Sequence, residues 1–392
     1  MKFFTNKKKE FKKWLSGAKL RRHAEDDLLT EKQRIELDAL LAEAGNSGCE
    51  KHQELQNRFE KILPRYRHAG IRELLDLLVV VGAVAFGIRA LYFQPFRIPT
   101  SSMQPTLYGI HYMSRANASN PLLGKLPAPL NYALFSAQKA YAEVQEDGEL
   151  DPESLSHQNG LFKETTSFTI GNYRYTLPGD PRKVVDYASL APRPYKKGEV
   201  LADGFRSLGD HLFVERFSLY LTPPRRGDVM VFTTEGLRAY DKNLSEQSGF
   251  YYVKRLVGLP GDTLKIINNV LFIRPANAEK FVPASELSPA FQKIYSGKGG
   301  YQGHLSFMGE HLNEPGKEFH IPADSYFMMG DNSQFSLDSR FFGAVPRKNL
   351  IGRAWLVFWP ISRRWGLVDR QPPVDVPTGE ARGATFPSMY LQ

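Results

Sequence analysis

A serine in a stiff loop is the first candidate for chemistry in this sequence. Residues Arg97–Leu107, RIPTSSMQPTL, place three hydroxyl side chains between Pro99 and Pro105. Each proline restricts its own φ and biases the residue before it towards extended backbone, so the loop should hold a serine still. A nucleophile needs that rigidity, although serine-rich turns are also common in plain linkers. Both interpretations stay open for this stretch alone.

Lys254 is the second candidate, because a serine hydroxyl is a poor nucleophile until a base takes its proton. It lies in Tyr251–Asp262, YYVKRLVGLPGD, an apolar strand-like run before a tight turn. On a two-residue period, Lys254 shares a face with Tyr252 and Leu256. Burial of that face would lower the lysine pKa from ~10.4 and leave a neutral amine that could act as a general base. Alternatively, Lys254 points outward and Arg255 inward, or both are solvated at an edge.

A third polar stretch, Met329–Gly343 or MGDNSQFSLDSRFFG, follows another strand-like run. Asp338 and Arg340 could form a charge-assisted pair that fixes this loop. A serine hydroxyl in the loop could hydrogen-bond the lysine amine and orient it. An ordinary polar turn explains the same residues.

The elements that must position these residues begin with an apolar segment directly before the serine loop. Leu74–Phe93 is about as long as the ~20 residues that span a bilayer, but only Leu77–Ile88 is uncharged, between Asp76 and Arg89. We predict one transmembrane helix at 73–94, with a buried soluble helix as the alternative. The lysines and arginines before this segment predict a cytoplasmic N-terminus, with everything after it across the membrane.

Charge and cysteine content narrow the class of protein. Much of the formal net charge of +9 comes from lysines and arginines in the first 22 residues. A basic run beside a membrane segment suits anionic headgroups, and no nucleic-acid module follows, so we expect membrane lipid rather than nucleic acid as a partner. Cys49 is the single cysteine, so neither an intrachain disulfide nor a cysteine metal cluster is expected.

The rest of the chain divides into regions by composition. Residues 1–72 are predicted to be basic and helical, with a capping box at Thr30–Gln33. Over 95–366, short runs of β-branched and aromatic residues without βαβ alternation predict a mainly β, antiparallel domain. Residues 108–208 are interpreted as an insertion in it. Because proline and glycine recur in 367–392, this tail is expected to be disordered.

Two turns predict β-hairpins in this domain. Gly171-Asn172 separates SFTI from YRYT, and Asn268-Asn269 separates LKII from VLFI. Both turn sequences suit tight connections between antiparallel strands.

Four motifs, taken together, resemble those of a known family. They are Ser102–Leu107 (SMQPTL), Arg226–Phe232 (RGDVMVF), Lys254–Asp262 (KRLVGLPGD) and Gly330–Arg340, with its GDN and SLDSR parts. In this order behind an apolar segment, they closely resemble the motifs of bacterial type I signal peptidase, the leader peptidase family. The resemblance covers about 73–107 and 209–360. It implies the antiparallel β catalytic fold of the signal peptidase type and a Ser–Lys dyad at the outer face of the cytoplasmic (inner) membrane.

The resemblance implies roles for individual residues. Ser102 matches the nucleophile, and Lys254 matches the general base. The backbone N–H of Ser102 and the hydroxyl of Thr100, where many relatives have serine, match the groups that hold the oxyanion.

Further positions match supporting and substrate-binding residues of the family. Ser336 matches the serine that orients the lysine, and Asp338 and Arg340 match the supporting pair. The shallow apolar pockets, which take small side chains in an Ala-x-Ala pattern, are matched by Phe96, Ile98, Leu212, Val231 and Val253. One departure is Ser333-Gln334-Phe335, where relatives commonly have arginine or asparagine after Gly-Asp-Asn.

Exported preproteins with signal peptides are the implied substrates, with the secretion translocon as a further partner and no cofactor or metal. Two other functions remain in view. A self-cleaving, repressor-type Ser–Lys protease shares the chemistry on a soluble DNA-binding chain, and the apolar segment argues against it. An inactive homologue could serve as a membrane scaffold, and the intact dyad argues against that.

Overall fold

The computed structural model of the chain describes residues 2–47, 49–64, 69–115, 122–160, 163–239, 242–244 and 250–370. The chain divides into two units, Met1–Ala85 and Phe86–Gln392. Every candidate site residue lies in the second unit. Of the tail predicted to be disordered, 371–392 lies outside the described residues.

Helices build the first unit, and the last of them continues into the second. They are α1 Lys2–Ala24, α2 Glu31–Asn46, α3 His52–Ile62 and α4 Ala69–Leu91. The predicted capping box is confirmed, because the Thr30 hydroxyl accepts the Gln33 N–H at 3.4 Å and the Gln33 side chain accepts the Thr30 N–H at 3.1 Å. Leu37 and Leu40 of α2 are buried with Leu55 of α3 in one hydrophobic cluster.

The prediction of a transmembrane helix at 73–94 is wrong. Within the part of the chain that the structure describes, no helix combines the length and the apolar character that crossing a membrane requires. The segment belongs to α4, in which Asp76 and Arg89 bound the uncharged stretch Leu77–Ile88. That stretch is about 18 Å long, against a bilayer core of ~30 Å. The prediction counted the apolar residues before Asp76 and after Arg89 as part of the span, although these two charged residues limit its uncharged length.

The second unit consists mainly of strands. Its remaining described helices are short: α5 Ala128–Phe135, α6 Pro181–Tyr187, α7 Ser218–Leu221, α8 Ala284–Leu287 and α9 Ser339–Phe342. The described strands are β1 Phe93–Arg97, β2 His111–Ser114, β3 Ala137–Glu143, β4 Gly148–Asn159, β5 Glu164–Ile170, β6 Tyr173–Pro178, β7 Pro194–Tyr195, β8 Val200–Ser207, β9 His211–Glu215, β10 Val229–Thr233, β11 Arg238–Ala239, β12 Lys242–Asn243, β13 Tyr251–Gly258, β14 Thr263–Ile267, β15 Val270–Arg274, β16 Val282–Pro283, β17 Phe319–His320, β18 Ser325–Met329, β19 Val345–Pro346, β20 Leu350–Trp359 and β21 Gly366–Leu367.

One eight-stranded sheet carries the candidate site. Its order is β1-β9-β20-β10-β13-β18-β19, with β21 paired to β20. β1 is an edge strand, and β13 lies between β10 and β18, where Met230 is opposite Lys254. All pairings between described strands are antiparallel, which confirms the β part of the predicted fold.

Both predicted hairpins are confirmed. β5 and β6 pair with Ile170 opposite Tyr173, so Gly171-Asn172 forms the turn. β14 and β15 are joined by Asn268 and Asn269, which have φ values of +50° and +62°. Two-residue hairpin turns of type I′ have positive φ at both positions, and asparagine tolerates such values better than most residues.

Residues 108–208 form two further sheets, β2-β8-β3 and β6-β5-β4-β7. A hydrophobic cluster drawn entirely from this region includes the fully buried side chains of Phe168, Ile170 and Val184. A different cluster joins residues of the eight-stranded sheet, such as Leu212, to Ile98 in the loop that follows β1. This region therefore has a core of its own.

Candidate active site

Ser102 and Lys254 meet at the centre of the candidate site. Lys254 Nζ lies 2.6 Å from Ser102 Oγ, although 152 positions separate the two residues along the chain. Only 7% of Ser102 and 4% of Lys254 is exposed. Lys254 Nζ also donates to the carbonyl of Val253 at 3.1 Å. Two groups taken from separate motifs therefore lie within hydrogen-bond distance in surroundings that exclude most solvent.

Burial is the main influence on the Lys254 amine. It lowers the pKa of Lys254 from 10.5 to about 8; of the nearby charges, Asp338 raises this pKa and Arg340 lowers it. The Tyr252 ring centroid lies 5.2 Å from Nζ. The sequence does not decide whether the Lys254 side chain faces the core or the solvent. In the structure, the side chains of both Lys254 and Arg255 are buried. A substantial fraction of the amine is thus neutral near pH 8.

Asn332 holds the serine loop in place. Its backbone N–H donates to the Ser102 carbonyl at 3.0 Å, and its Nδ2 donates to the Ser101 carbonyl at 3.0 Å. A Cβ on Gly330 would lie 2.5 Å from the Ser102 carbonyl oxygen, so the close approach of these two segments requires glycine. The sequence pattern included Asn332 in a motif but assigned it no role.

Thr100 lies beside the nucleophile. Its Oγ1 is 3.5 Å from Ser102 Oγ. A Cβ on Gly109 would lie 2.3 Å from the Thr100 carbonyl, so glycine allows the chain to pack against the start of the loop. A hydroxyl in this position is close to where an oxyanion would form after attack by Ser102. The oxyanion role of Thr100 stays a prediction.

The predicted supporting residues share the 330–343 loop. Arg340 donates from Nε and Nη2 to the two carboxylate oxygens of Asp338, each at 2.9 Å, and both side chains are fully buried. Burial raises the pKa of Asp338, but the charge of Arg340 and the hydrogen bonds that the carboxylate accepts together lower it more, so the carboxyl titrates below its usual range. Ser336 Oγ is buried, and the expected hydrogen bond between it and Lys254 is not observed in the part of the chain that the structure describes.

The five predicted pocket residues lie in one hydrophobic cluster. Leu212 and Val231 are fully buried, Ile98 is buried, and Phe96 and Val253 are half-buried. Phe96 pairs with Leu212 between β1 and β9, and Val231 pairs with Val253 between β10 and β13. The cluster also contains residues of the serine loop. The structure therefore brings together all the residues that the resemblance assigned to the substrate pockets.

A buried ion network on Arg255 was not predicted. Arg255 donates to Asp331 from Nε at 2.7 Å and from Nη2 at 2.6 Å, and both side chains are fully buried. It also donates to Asp369 from Nη1 at 2.7 Å and from Nη2 at 2.9 Å. The Thr106 hydroxyl of the serine loop donates to Asp331. Asp331 lies in a recognised motif, whereas the proline-rich surroundings of Asp369 carried no signal of a buried partner.

Asp369→Asn is expected to destabilise the chain by about 1–3 kcal/mol, because Arg255 and Lys293 lose a largely buried anionic partner. Urea or thermal unfolding measures the change. Asp324→Asn is the matched control, since Asp324 also has a positive φ, 56° against 70°, but is exposed. Its free energy of unfolding should change by less than about 0.5 kcal/mol. Wild-type stability of Asp369→Asn would show that this carboxylate does not stabilise the network.

Comparison with known proteins identifies relatives of this chain. The sequence model of the family described as "Signal peptidase, peptidase S26" matches residues 206–359. Signal peptidase I of Leptolyngbya laminosa is 34% identical over 157 residues, which cover 40% of this chain and 63% of that protein. Signal peptidase I P of Bacillus subtilis subsp. natto is 33% identical over 155 residues, which cover 39% of this chain and 70% of that protein.

Solved structures also match. A crystal structure of a signal peptidase I from Enterococcus faecalis V583 is 26% identical and covers 34% of this chain and 97% of the crystallised chain, with a TM-score of 0.22. The chain spans less than two thirds of the length of the Leptolyngbya protein, but more than two thirds of the Bacillus protein. On the identity and coverage of that second relative, the chain belongs to the signal peptidase I family, peptidase S26.

Proposed function

We propose that this chain is a serine endopeptidase that cleaves signal peptides from exported preproteins, with Ser102 as nucleophile and Lys254 as general base. The observation that carries the proposal is the 2.6 Å distance between Lys254 Nζ and Ser102 Oγ. The substrate class comes from the relatives, which are named signal peptidase I.

The mechanism follows from the two buried groups. Neutral Lys254 takes the proton of Ser102 as Oγ attacks the carbonyl before the scissile bond. The Ser102 N–H and the Thr100 hydroxyl hydrogen-bond the oxyanion, and each such donor can lower the barrier by about 3–4 kcal/mol. Protonated Lys254 then gives its proton to the leaving amine, and an acyl-enzyme on Ser102 remains. Lys254 next takes a proton from water, which hydrolyses the ester and restores both groups.

The edge strand β1 offers a way to bind the substrate. An extended signal peptide could add to this edge through main-chain hydrogen bonds, with alternate side chains entering pockets. The cluster of Phe96, Ile98, Leu212, Val231 and Val253 supplies apolar walls beside Ser102. Shallow apolar walls favour small residues such as alanine at alternate positions before the cleaved bond.

Cleavage of a preprotein with an Ala-x-Ala site tests the proposal. The full chain in detergent should release one mature product, whose N-terminus is found by sequencing, and Ser102→Ala should release none. A preprotein with tryptophan in place of the alanine before the scissile bond is the substrate control and should stay intact. An uncleaved Ala-x-Ala preprotein, or equal cleavage by Ser102→Ala, would reject the function.

The pH dependence of cleavage should report the lysine. Because the neutral amine is the active form and the pKa of Lys254 is about 8, kcat/KM should rise with pH and reach half its plateau near pH 8. Initial rates between pH 6 and pH 10 at low substrate concentration measure this profile. A rate that is constant from pH 6 to pH 8 would contradict a lysine base.

The extracytoplasmic location, and membrane lipid and the secretion translocon as partners, stay predictions. Fractionation of cells that express the chain, with protease accessibility as the readout, tests the location. Co-purification with translocon subunits tests the second partner.

A further inference from the structure

Ser333 occupies a position at which this sequence departs from the family pattern. It begins the short 3₁₀ helix Ser333–Phe335 after the Gly-Asp-Asn motif and is only 4% exposed. We propose that Ser333 is a positioning residue, whose hydroxyl fixes the guanidinium of Arg340 beside the lysine of the proposed dyad. The inference rests on the proposed function for its catalytic meaning, and on contacts of Ser333 for its geometry.

Each N–H of the Arg340 side chain has an acceptor. Nε donates to Asp338 Oδ1 at 2.9 Å. Nη1 donates to the Leu305 carbonyl at 3.0 Å and to Ser333 Oγ at 2.8 Å. Nη2 donates to Asp338 Oδ2 at 2.9 Å and to the Ser333 carbonyl at 2.7 Å. A guanidinium has five N–H groups, so Ser333 supplies two of the five acceptors that this buried cation needs.

The Ser333 hydroxyl also holds the chain segment that covers Arg340. Ser333 Oγ accepts the Leu305 N–H at 2.9 Å, while the Leu305 carbonyl accepts from Arg340. Both lone pairs of the hydroxyl are therefore in use, one for each donor. Without the hydroxyl, two buried N–H groups lose their acceptor together, one of them on a charged side chain. A buried unpaired donor is costly, so Arg340 and Leu305 must move or admit water.

Asp338 does not depend on Ser333 in the same way. Its carboxylate accepts the backbone N–H of Gly330 at 3.0 Å and the backbone N–H of Arg340 at 3.2 Å. Loss of the Ser333 hydroxyl should therefore loosen the positive partner of the pair and leave the negative partner in place. The environment of Lys254 should therefore become more negative, because Arg340 would be less firmly held while Asp338 stays in place.

The consequence for Lys254 follows from the charges that face it. These are Asp338 and Asp331, which raise its pKa, and Arg340, which lowers it. His304, near Arg340, is fully buried and its pKa is lowered to about 4, so it stays neutral at working pH. With Arg340 loosened, the pKa of Lys254 should rise, and less neutral amine should be present near pH 7.

Titration of Lys254 by NMR tests this directly. The full chain, with ¹³C-labelled lysine and Ser102→Ala to prevent turnover, is compared with the same chain carrying Ser333→Ala. We expect the midpoint of the Lys254 Cε resonance to rise by about half a pH unit. In the chain with Ser102 intact, the rising limb of kcat/KM should move by the same amount, which lowers kcat/KM at pH 7 by about threefold.

Ser339→Ala is the matched control. The Ser339 hydroxyl is fully buried and accepts the Met328 N–H at 2.9 Å, so its loss also leaves a buried donor unpaired, but it is not one of the acceptors given above for the Arg340 guanidinium. This variant should unfold at a lower temperature and keep the Lys254 midpoint. Ser333→Cys retains a weaker acceptor, so it should shift the Lys254 midpoint in the same direction but by less. It replaces Ser333→Ala in the titration if Ser333→Ala does not fold.

An unchanged midpoint in folded Ser333→Ala or Ser333→Cys would overturn the inference, as would an equal shift in Ser339→Ala. The titration uses no substrate. Absence of preprotein cleavage by the wild-type chain would therefore reject the proposed function, whereas absence of a midpoint shift would reject the role of Ser333 alone.

Discussion

Alanine at Ser102 or at Lys254 is expected to lower kcat/KM for preprotein cleavage by about 10⁴-fold or more. Without the Ser102 hydroxyl no acyl-enzyme can form, and without the Lys254 amine the hydroxyl has lost the base that lies 2.6 Å from it. The double variant should be little worse than either single variant, because the two groups act in one step. Single-turnover cleavage, followed by product N-terminal sequencing, measures the effect.

Ser101→Ala is the control for this experiment. Ser101 adjoins the nucleophile and is similarly buried, 9% exposed against 7% for Ser102. Its variant should keep kcat/KM within about tenfold of wild type, because the Ser101 hydroxyl is neither the nucleophile nor the base of the proposed reaction. Circular dichroism and thermal unfolding should show that all variants fold. Full activity in a folded Lys254→Ala variant would end the dyad mechanism.

Asp331→Ala is expected to destabilise the chain by about 3–5 kcal/mol, because it leaves the fully buried Arg255 guanidinium without its main partner. Cleavage should fall as well, since Asp331 also accepts from Thr106 on the serine loop. The free energy of unfolding in urea measures the first effect, and kcat/KM below the unfolding transition measures the second.

Glu199→Ala is the matched surface control for Asp331→Ala. Glu199 forms an ion pair with Arg193 at the protein surface, where the two side chains are 31% and 43% exposed, and such pairs contribute little to stability. The two acidic side chains thus differ in burial rather than in the type of partner. Equal unfolding midpoints for Asp331→Ala and Glu199→Ala would contradict a structural role for the Arg255 network.

Local features of the fold could be predicted from the sequence. The capping box at Thr30 and the asparagine turn at Asn268 depend on residues that are neighbours along the chain. The Asp338–Arg340 pair spans only two positions, so its residue types and spacing sufficed to predict it. In each case the interacting groups lie within one turn or one loop.

The apolar segment before β1 shows where such a pattern was misleading. Its composition predicted a membrane span, yet no described helix meets the requirements for one. Hydropathy counts apolar residues, whereas a span needs enough uncharged length between its charged ends. Asp76 and Arg89 limit that length in α4.

The sequence by itself determined which groups could react, since a serine in a proline-bounded loop and a lysine in an apolar strand were both visible in it. Only the tertiary structure decided that Lys254 faces Ser102, that Asn332 holds the serine loop, and that Asp369 reaches Arg255 across 114 positions. These contacts join residues that are far apart along the chain. Local pattern and propensity carry no information about them, because they arise only when the strands of the sheet pack in their final order.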